Sequence, residues 1–219
     1  MPIIDAIAES ARTEFDALTA AREQALAQAR TLTRHCAHAI RAIHREEQAV
    51  AAEELKAARK LVKALNKDLA DYPTLHSAGY TQDAMKEYAE ANLVQALVEN
   101  AELPGPAQLE LETATYMKGL AETVGELRRR CLDILRHGHS EEAERLLGHM
   151  DEIYAVLVTM DYPDAVTAGL RRLTDITRSL VERTRGDVTL SLRQERLEQS
   201  LRSAEQNISD MTNEEHAAD

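Results

Sequence analysis

Apolar residues recur at helical spacing from Ile3 to about Ala70, and no proline between Pro2 and Pro73 interrupts them. At about 100° per residue, Leu32, Cys36, Ala39, Ile40 and Ile43 share one side of such a helix, the side that would face a core. The pattern predicts one very long helix followed by a second, with the break near Glu46 to Ala51, although no glycine or proline marks it. Residues 71–80 (DYPTLHSAGY) read as a loop, and Thr81 as the N-cap of a third helix over Thr81–Asn100. Leu103-Pro-Gly-Pro turns the chain into a further helix that runs to about Arg136, where His137-Gly-His stops it. Ser140-Glu-Glu-Ala opens another to Met160, and Asp161-Tyr-Pro leads into the last, from Asp164 to about Glu205. Residues 1–205 thus form a single helical domain, with 206–219 as a polar tail expected to be disordered.

Composition sharpens this to an all-α protein. With 8 Gly, 5 Pro, 3% aromatic residues and no Trp among 219 residues, long helices are favoured. The 44% hydrophobic content is ample for a buried core. A net charge of -12 argues against overall attraction to nucleic acid or anionic lipid and leaves only a local basic surface for that purpose. No run of uncharged apolar residues is long enough to span a membrane, and the acidic first residues show no secretory signal. Cys36 and Cys131 match no metal-ligand spacing and read as buried thiols of a reducing compartment, so a cytoplasmic location is expected.

Two features carry candidate chemistry. Glu87 and Glu90 are spaced i,i+3, and Glu122 and Glu126 i,i+4, so each pair projects from one helix face. If the two helices pack together, four carboxylates converge, the ligand type a divalent cation such as Mg2+ requires. The same spacing also yields ordinary bridges, Lys86 to Glu90 and Glu126 to Arg130, each worth a few tenths of about 1 kcal/mol. The acids nevertheless sit among Tyr88, Ala89, Ala91, Leu120, Ala121, Val124 and Leu127. Next to packed surface, a carboxylate is costly unless something compensates it. Gly119 and Gly125 interrupt the second helix at about 1 kcal/mol each relative to Ala, which a tight helix crossing would explain.

The second feature is a basic stripe. Arg30, Arg34, His38, Arg41, His44 and Arg45 fall within an arc of about 120°, and residues 30–45 contain no acid in a chain with 38 acids and 26 bases. Such a face can grip a phosphate backbone or can be a solvated face paired with neighbouring acids.

These segments together resemble the translin family. Tyr116-Met-Lys-Gly-Leu-Ala-Glu-Thr-Val-Gly-Glu-Leu-Arg-Arg is similar to the family's Tyr-Leu-x-Gly-Leu-x-Asp-Leu-Thr-Gly-Glu-Leu-x-Arg helix. Gln82-Asp-Ala-Met-Lys-Glu-Tyr-Ala-Glu-Ala resembles the Gln-Glu-Tyr-Val-Glu-Ala helix of translin-associated factor X. Arg41-Ala-Ile-His-Arg, Leu170-Arg-Arg-Leu-Thr-Asp and Leu180-Val-Glu continue the correspondence in order, over residues 25–195.

The resemblance implies a seven-helix bundle assembling into a hollow, roughly octameric barrel that binds single-stranded RNA or DNA inside. It also implies the catalytic, factor-X-like branch: an endoribonuclease in which Glu87, Glu90, Glu122 and Glu126 hold Mg2+ (or Mn2+) and water attacks the phosphodiester. Glu122 departs from the pattern, standing where the family carries Asp. Arg30, Arg34, Arg41, His44 and Arg45 would hold the flanking backbone, and His76 sits near where the family places basic contacts. A homo-oligomer that binds single-stranded RNA or DNA without cutting it is the alternative, and a purely structural helical assembly is the third reading.

Overall fold

In the absence of internal breakers, the first two helices are long: α1 spans Pro2–His44 and α2 spans Gln48–Asp68. A computed structural model describes residues 2–138 and 140–217, and every regular element among them is helical. The break between α1 and α2 falls at residues 45–47, at the near edge of the expected range. Glu46 adopts the left-handed backbone (φ 62°) that glycine usually supplies. The Glu47 amide closes back onto the Ala42 carbonyl at 2.9 Å, and Arg130 Nη2 holds the Glu46 carboxylate at 2.7 Å, so tertiary contacts support the strained turn.

The remaining elements are α3 (Pro73–His76), α4 (Gly79–Val98), α5 (Pro106–Leu109), α6 (Thr113–Leu135), α7 (Ser140–Leu157), α8 (Asp164–Thr167) and α9 (Leu170–Ala217). The expected seven helices therefore resolve, among the described residues, into six long ones and three single-turn ones. Several boundaries differ from the sequence reading. The 71–80 loop contains α3, and α4 begins at Gly79. Thr81 does not cap it, because its hydroxyl donates to the Leu75 carbonyl at 2.8 Å instead. The helix expected from 107 to 136 is divided, since Glu110 turns left-handed (φ 58°) after α5 and α6 restarts at Thr113. Ala168 (φ 50°) and Gly169 (φ 90°) separate α8 from α9 in the same way. α7 ends at Leu157, short of Met160, and α9 continues past Glu205 to Ala217. Gly138 is left-handed (φ 80°) after α6, while His139 and residues 218–219 lie outside the described residues.

Two helices form the centre. α4 packs between α1 and α6, and α6 packs in turn against α7 and α9, while α2 covers α1. α4 is buried around most of its circumference through Met85, Tyr88, Ala89, Leu93, Val94 and Leu97, and α6 contributes Leu120, Ala121, Val124 and Leu127. On α1 the expected inward residues Leu32, Cys36, Ala39, Ile40 and Ile43 are all buried. Each large apolar side chain removed from water contributes roughly 1.5–3 kcal/mol. No helix among the described residues is long and apolar enough to cross a membrane.

The α4–α6 approach depends on Gly119. A Cβ there would lie 2.6 Å from Ala89 Cβ, 2.9 Å from the Lys86 carbonyl oxygen and 3.2 Å from the Glu90 amide. Gly119 is thus the crossing residue anticipated from the sequence. Gly125 is not, because a Cβ at that position would meet nothing within 4 Å.

Candidate metal centre

The close crossing at Gly119 brings one face of α4 against one face of α6. Glu87 and Glu90, one turn apart on α4, meet Glu122, which lies nearly one turn beyond Gly119 on α6. Each offers a carboxylate oxygen, and the three oxygens lie within 4.8 Å of one another. Glu90 is buried and the other two are half-buried. Burial, and then the charges of Glu87, Glu122 and Glu126, push the Glu90 carboxyl up to about 8. Burial likewise raises Glu87, with Lys86 opposing and Glu122 adding to the rise. These carboxyls are energetically short of positive charge.

Glu126, the fourth expected ligand, is placed differently. Its Oε2 accepts a 2.5 Å hydrogen bond from His44 Nε2 and lies 3.7 Å from Arg129 Nη1. The hydrogen bond from His44 outweighs burial and holds the Glu126 carboxyl below its ordinary value. The structure thus joins three of the four acids directly and holds the fourth alongside, ionised and engaged by α1.

A cation also reaches the cluster. Lys86 Nζ lies 2.7 Å from Glu122 Oε2 and 3.6 Å from Glu87 Oε1, with its side chain largely buried. Burial works against its charge, but the hydrogen bond and charge of Glu122, then Glu87 and Asp83, raise its pKa. The sequence offered Lys86 only as an i+4 partner of Glu90; the contact to Glu122 crosses between helices and leaves no trace in local spacing. Arg130 departs similarly from the expected pairing with Glu126. It bonds the Glu46 carboxylate and the His44 carbonyl instead.

The donor set suits a hard divalent ion. Octahedral Mg2+ with oxygens at about 2.0–2.1 Å places neighbouring oxygens about 2.9 Å apart and opposite ones about 4.1 Å apart. Three oxygens already within 4.8 Å need only small side-chain adjustments to reach that shell. The longer Glu122 reaches the cluster despite standing where the family pattern has Asp.

The basic stripe divides in two. Arg30, Arg34, Arg41 and Arg45 are exposed and form no salt bridge with the described residues. His38 is drawn toward Glu54 (3.5 Å), which His35 also contacts at 2.5 Å. His44, expected on the phosphate-binding face, is corrected: its side chain is only 4% exposed. It stands at the edge of the stripe, where Glu126 captures it. His76 is fastened between Asn66 Oδ1 (3.0 Å) and Glu112 Oε1 (3.3 Å) and ties the α3 turn to the segments around it. Cys36 and Cys131 are free and buried. Burial, reinforced at Cys36 by Glu87 and Glu90, keeps both thiols protonated.

An all-helical protein with a carboxylate cluster at the crossing of its two central helices is the class that this geometry defines. No family profile matches the sequence. An uncharacterized protein of Methanocaldococcus jannaschii, MJ0175, is 30% identical over 190 residues, covering 86% of this chain and 84% of that protein. The structure of AfC3PO in complex with duplex RNA superposes with a TM-score of 0.76 at 34% identity, over 84% of this chain and 95% of that one. A crystal structure of AfC3PO matches equally well at 32% identity. Apo-NeC3PO shares the fold at a TM-score of 0.77 and 18% identity, over 84% of this chain and 96% of that one. Through AfC3PO, at 34% identity over nearly its whole length, the chain belongs to the C3PO/translin family.

Proposed function

We propose that this protein is a divalent-metal-dependent endoribonuclease that works inside an oligomeric barrel, with Mg2+ as its ion and Mn2+ able to replace it. The observation that carries the reading is the convergence of Glu87, Glu90 and Glu122 oxygens within 4.8 Å at the α4–α6 crossing. A structure of AfC3PO, 34% identical, is of its complex with duplex RNA, which supports RNA as the substrate class. Glu87, Glu90 and Glu122 would hold the ion, and Glu126, kept ionised by His44, would supply the fourth carboxylate. When bound, such an ion offsets the negative charge that builds on the phosphate during attack by water. Arg30, Arg34, Arg41 and Arg45 would hold backbone phosphates, giving affinity with little base selectivity.

The proposal is tested by following cleavage of single-stranded and duplex RNA with and without Mg2+. Replacing Glu122 or Glu126 by Ala is expected to lower the Mg2+-dependent rate by at least about 100-fold, beyond the loss usual for a group supporting a metal ligand. Equal rates for wild type and Glu126→Ala would exclude the assignment. For the arginine row, Arg34→Ala and Arg41→Ala should each weaken RNA binding and reduce the slope of log affinity against log salt by about one. An unchanged slope would remove that row from the interface.

Assembly is part of the proposal. Ile3, Ile4, Ile7 and Phe15 on α1, and Leu190, Leu197, Leu201 and Ile208 on α9, are large apolar side chains exposed along the outer parts of the two longest helices. Their exposure supports burial against further copies, in an octamer-like homo-oligomer; a monomer by light scattering would contradict it. The two free thiols support a reducing, cytoplasmic setting. The second reading, an oligomer that binds single-stranded RNA or DNA without cutting, draws on the engagement of Glu126 by His44 and of Glu122 by Lys86, which already occupies part of the acid set. RNA retention without Mg2+-dependent products would favour it.

A further inference from the structure

We propose that Lys86 is a built-in cation of the acid cluster, which a divalent ion must displace, so that this residue sets how tightly the site holds metal. The inference rests on the metal-site reading above and adds a property of this chain's own lysine.

Lys86 Nζ donates to Glu122 Oε2 at 2.7 Å and stands 3.6 Å from Glu87 Oε1. Both carboxylates are members of the three-oxygen cluster. The lysine side chain is 14% exposed, so this is a packed contact and not a loosely tethered surface pair. The other nearby basic side chains, His44 and Arg129, are directed at Glu126. Lys86 is therefore the cation that touches the cluster itself, among the described residues.

The ammonium hydrogen bond at 2.7 Å occupies one lone pair of Glu122 Oε2 and already meets part of that carboxylate's charge, so a metal entering the cluster competes with Lys86 for Glu122. An ammonium and a divalent ion within a few ångströms of each other also repel strongly in a half-buried setting. Lysine suits exchange of this kind, because its four-carbon stem is flexible and its charge is a compact, readily hydrated point. The cluster has two alternative ways of meeting its demand for positive charge: the lysine bridge without metal, and the divalent ion with the lysine swung outward.

The test uses the full chain. Mn2+ binding is measured by calorimetry for wild type, Lys86→Gln and Lys86→Arg, alongside melting curves with and without Mn2+. Lys86→Gln is expected to bind Mn2+ at least about tenfold more tightly, to melt lower without metal and to gain more on adding it. Lys86→Arg, which keeps the charge, should stay near wild type. Should Lys86→Gln fail to fold, the wild-type chain gives the answer. Addition of Mn2+ should raise severalfold the rate at which an amine-reactive ester acylates Lys86, read by mass spectrometry, because the side chain released from Glu122 becomes accessible for its neutral amine to attack the ester. Unchanged or weaker Mn2+ binding by Lys86→Gln, or unchanged labelling in wild type that does bind Mn2+, overturns the proposal and leaves the metal site standing. Absence of Mn2+ binding in both wild type and Lys86→Gln overturns the two together.

Discussion

Replacing Glu90 by Gln should raise the melting temperature of the metal-free protein at pH 8–9 and at the same time abolish its stabilisation by Mg2+ or Mn2+. The Glu90 carboxyl is pushed up to about 8, by burial first and then by Glu87, Glu122 and Glu126. Between the ordinary carboxyl range and that value, the folded chain keeps a proton that the unfolded chain has lost. Stability from this group is fully present at low pH and is lost as pH rises through about 8. At about 1.4 kcal/mol per pKa unit, the loss amounts to a few kcal/mol. Glutamine keeps the shape without the charge, so the difference from wild type should be largest above pH 8 and vanish toward pH 5. A bound cation takes the place of the proton, and wild type should gain most from metal at the same high pH where the apo protein is weakest. Melting curves across pH, with chelator or with added Mn2+, measure both effects. A Glu90→Gln protein less stable than wild type at pH 8.5 would show that this carboxylate is already adequately compensated.

Gly119→Ala should destabilise the protein by roughly 1–3 kcal/mol, the range for inserting a methyl into a filled core. For a chain of this size each kcal/mol lowers the melting temperature by about 2–4 °C. The new Cβ would press on Ala89 Cβ at 2.6 Å and on the Lys86 carbonyl at 2.9 Å, and neither can rotate away. Only separation of α4 from α6 relieves the contact, and that separation draws Glu122 away from Glu87 and Glu90. Metal-induced stabilisation should fall with the melting temperature. Gly125→Ala, on the same helix, meets open space and should stabilise by up to about 1 kcal/mol through helix propensity. Shifts of the same sign for the two substitutions would refute the crossing geometry.

The contrast between the two glycines marks how far the residues alone could be read. Both interrupt one helix at similar cost, and both suggested a close crossing, yet only Gly119 has a backbone opposite it. The acid pairs behaved in the same way. Spacing placed Glu87 with Glu90 and Glu122 with Glu126 on their own helix faces, but a period of 3.6 residues says nothing about which faces meet. His44 counted as part of a phosphate-binding stripe because it follows Arg41 by three residues. Its actual partner, Glu126, is 82 positions away. The break at Glu110 is hidden in the sequence because a non-glycine residue takes left-handed backbone there.

What the sequence by itself determined is the helical character of the chain, the inward side of α1, and two carboxylates per face on α4 and α6. Those properties depend on neighbours three and four residues apart. Only the tertiary structure decided that three glutamates would share a cluster with Lys86 while the fourth went to His44. That outcome depends on how closely and at what angle two helices cross, and a single missing side chain at Gly119 controls the approach.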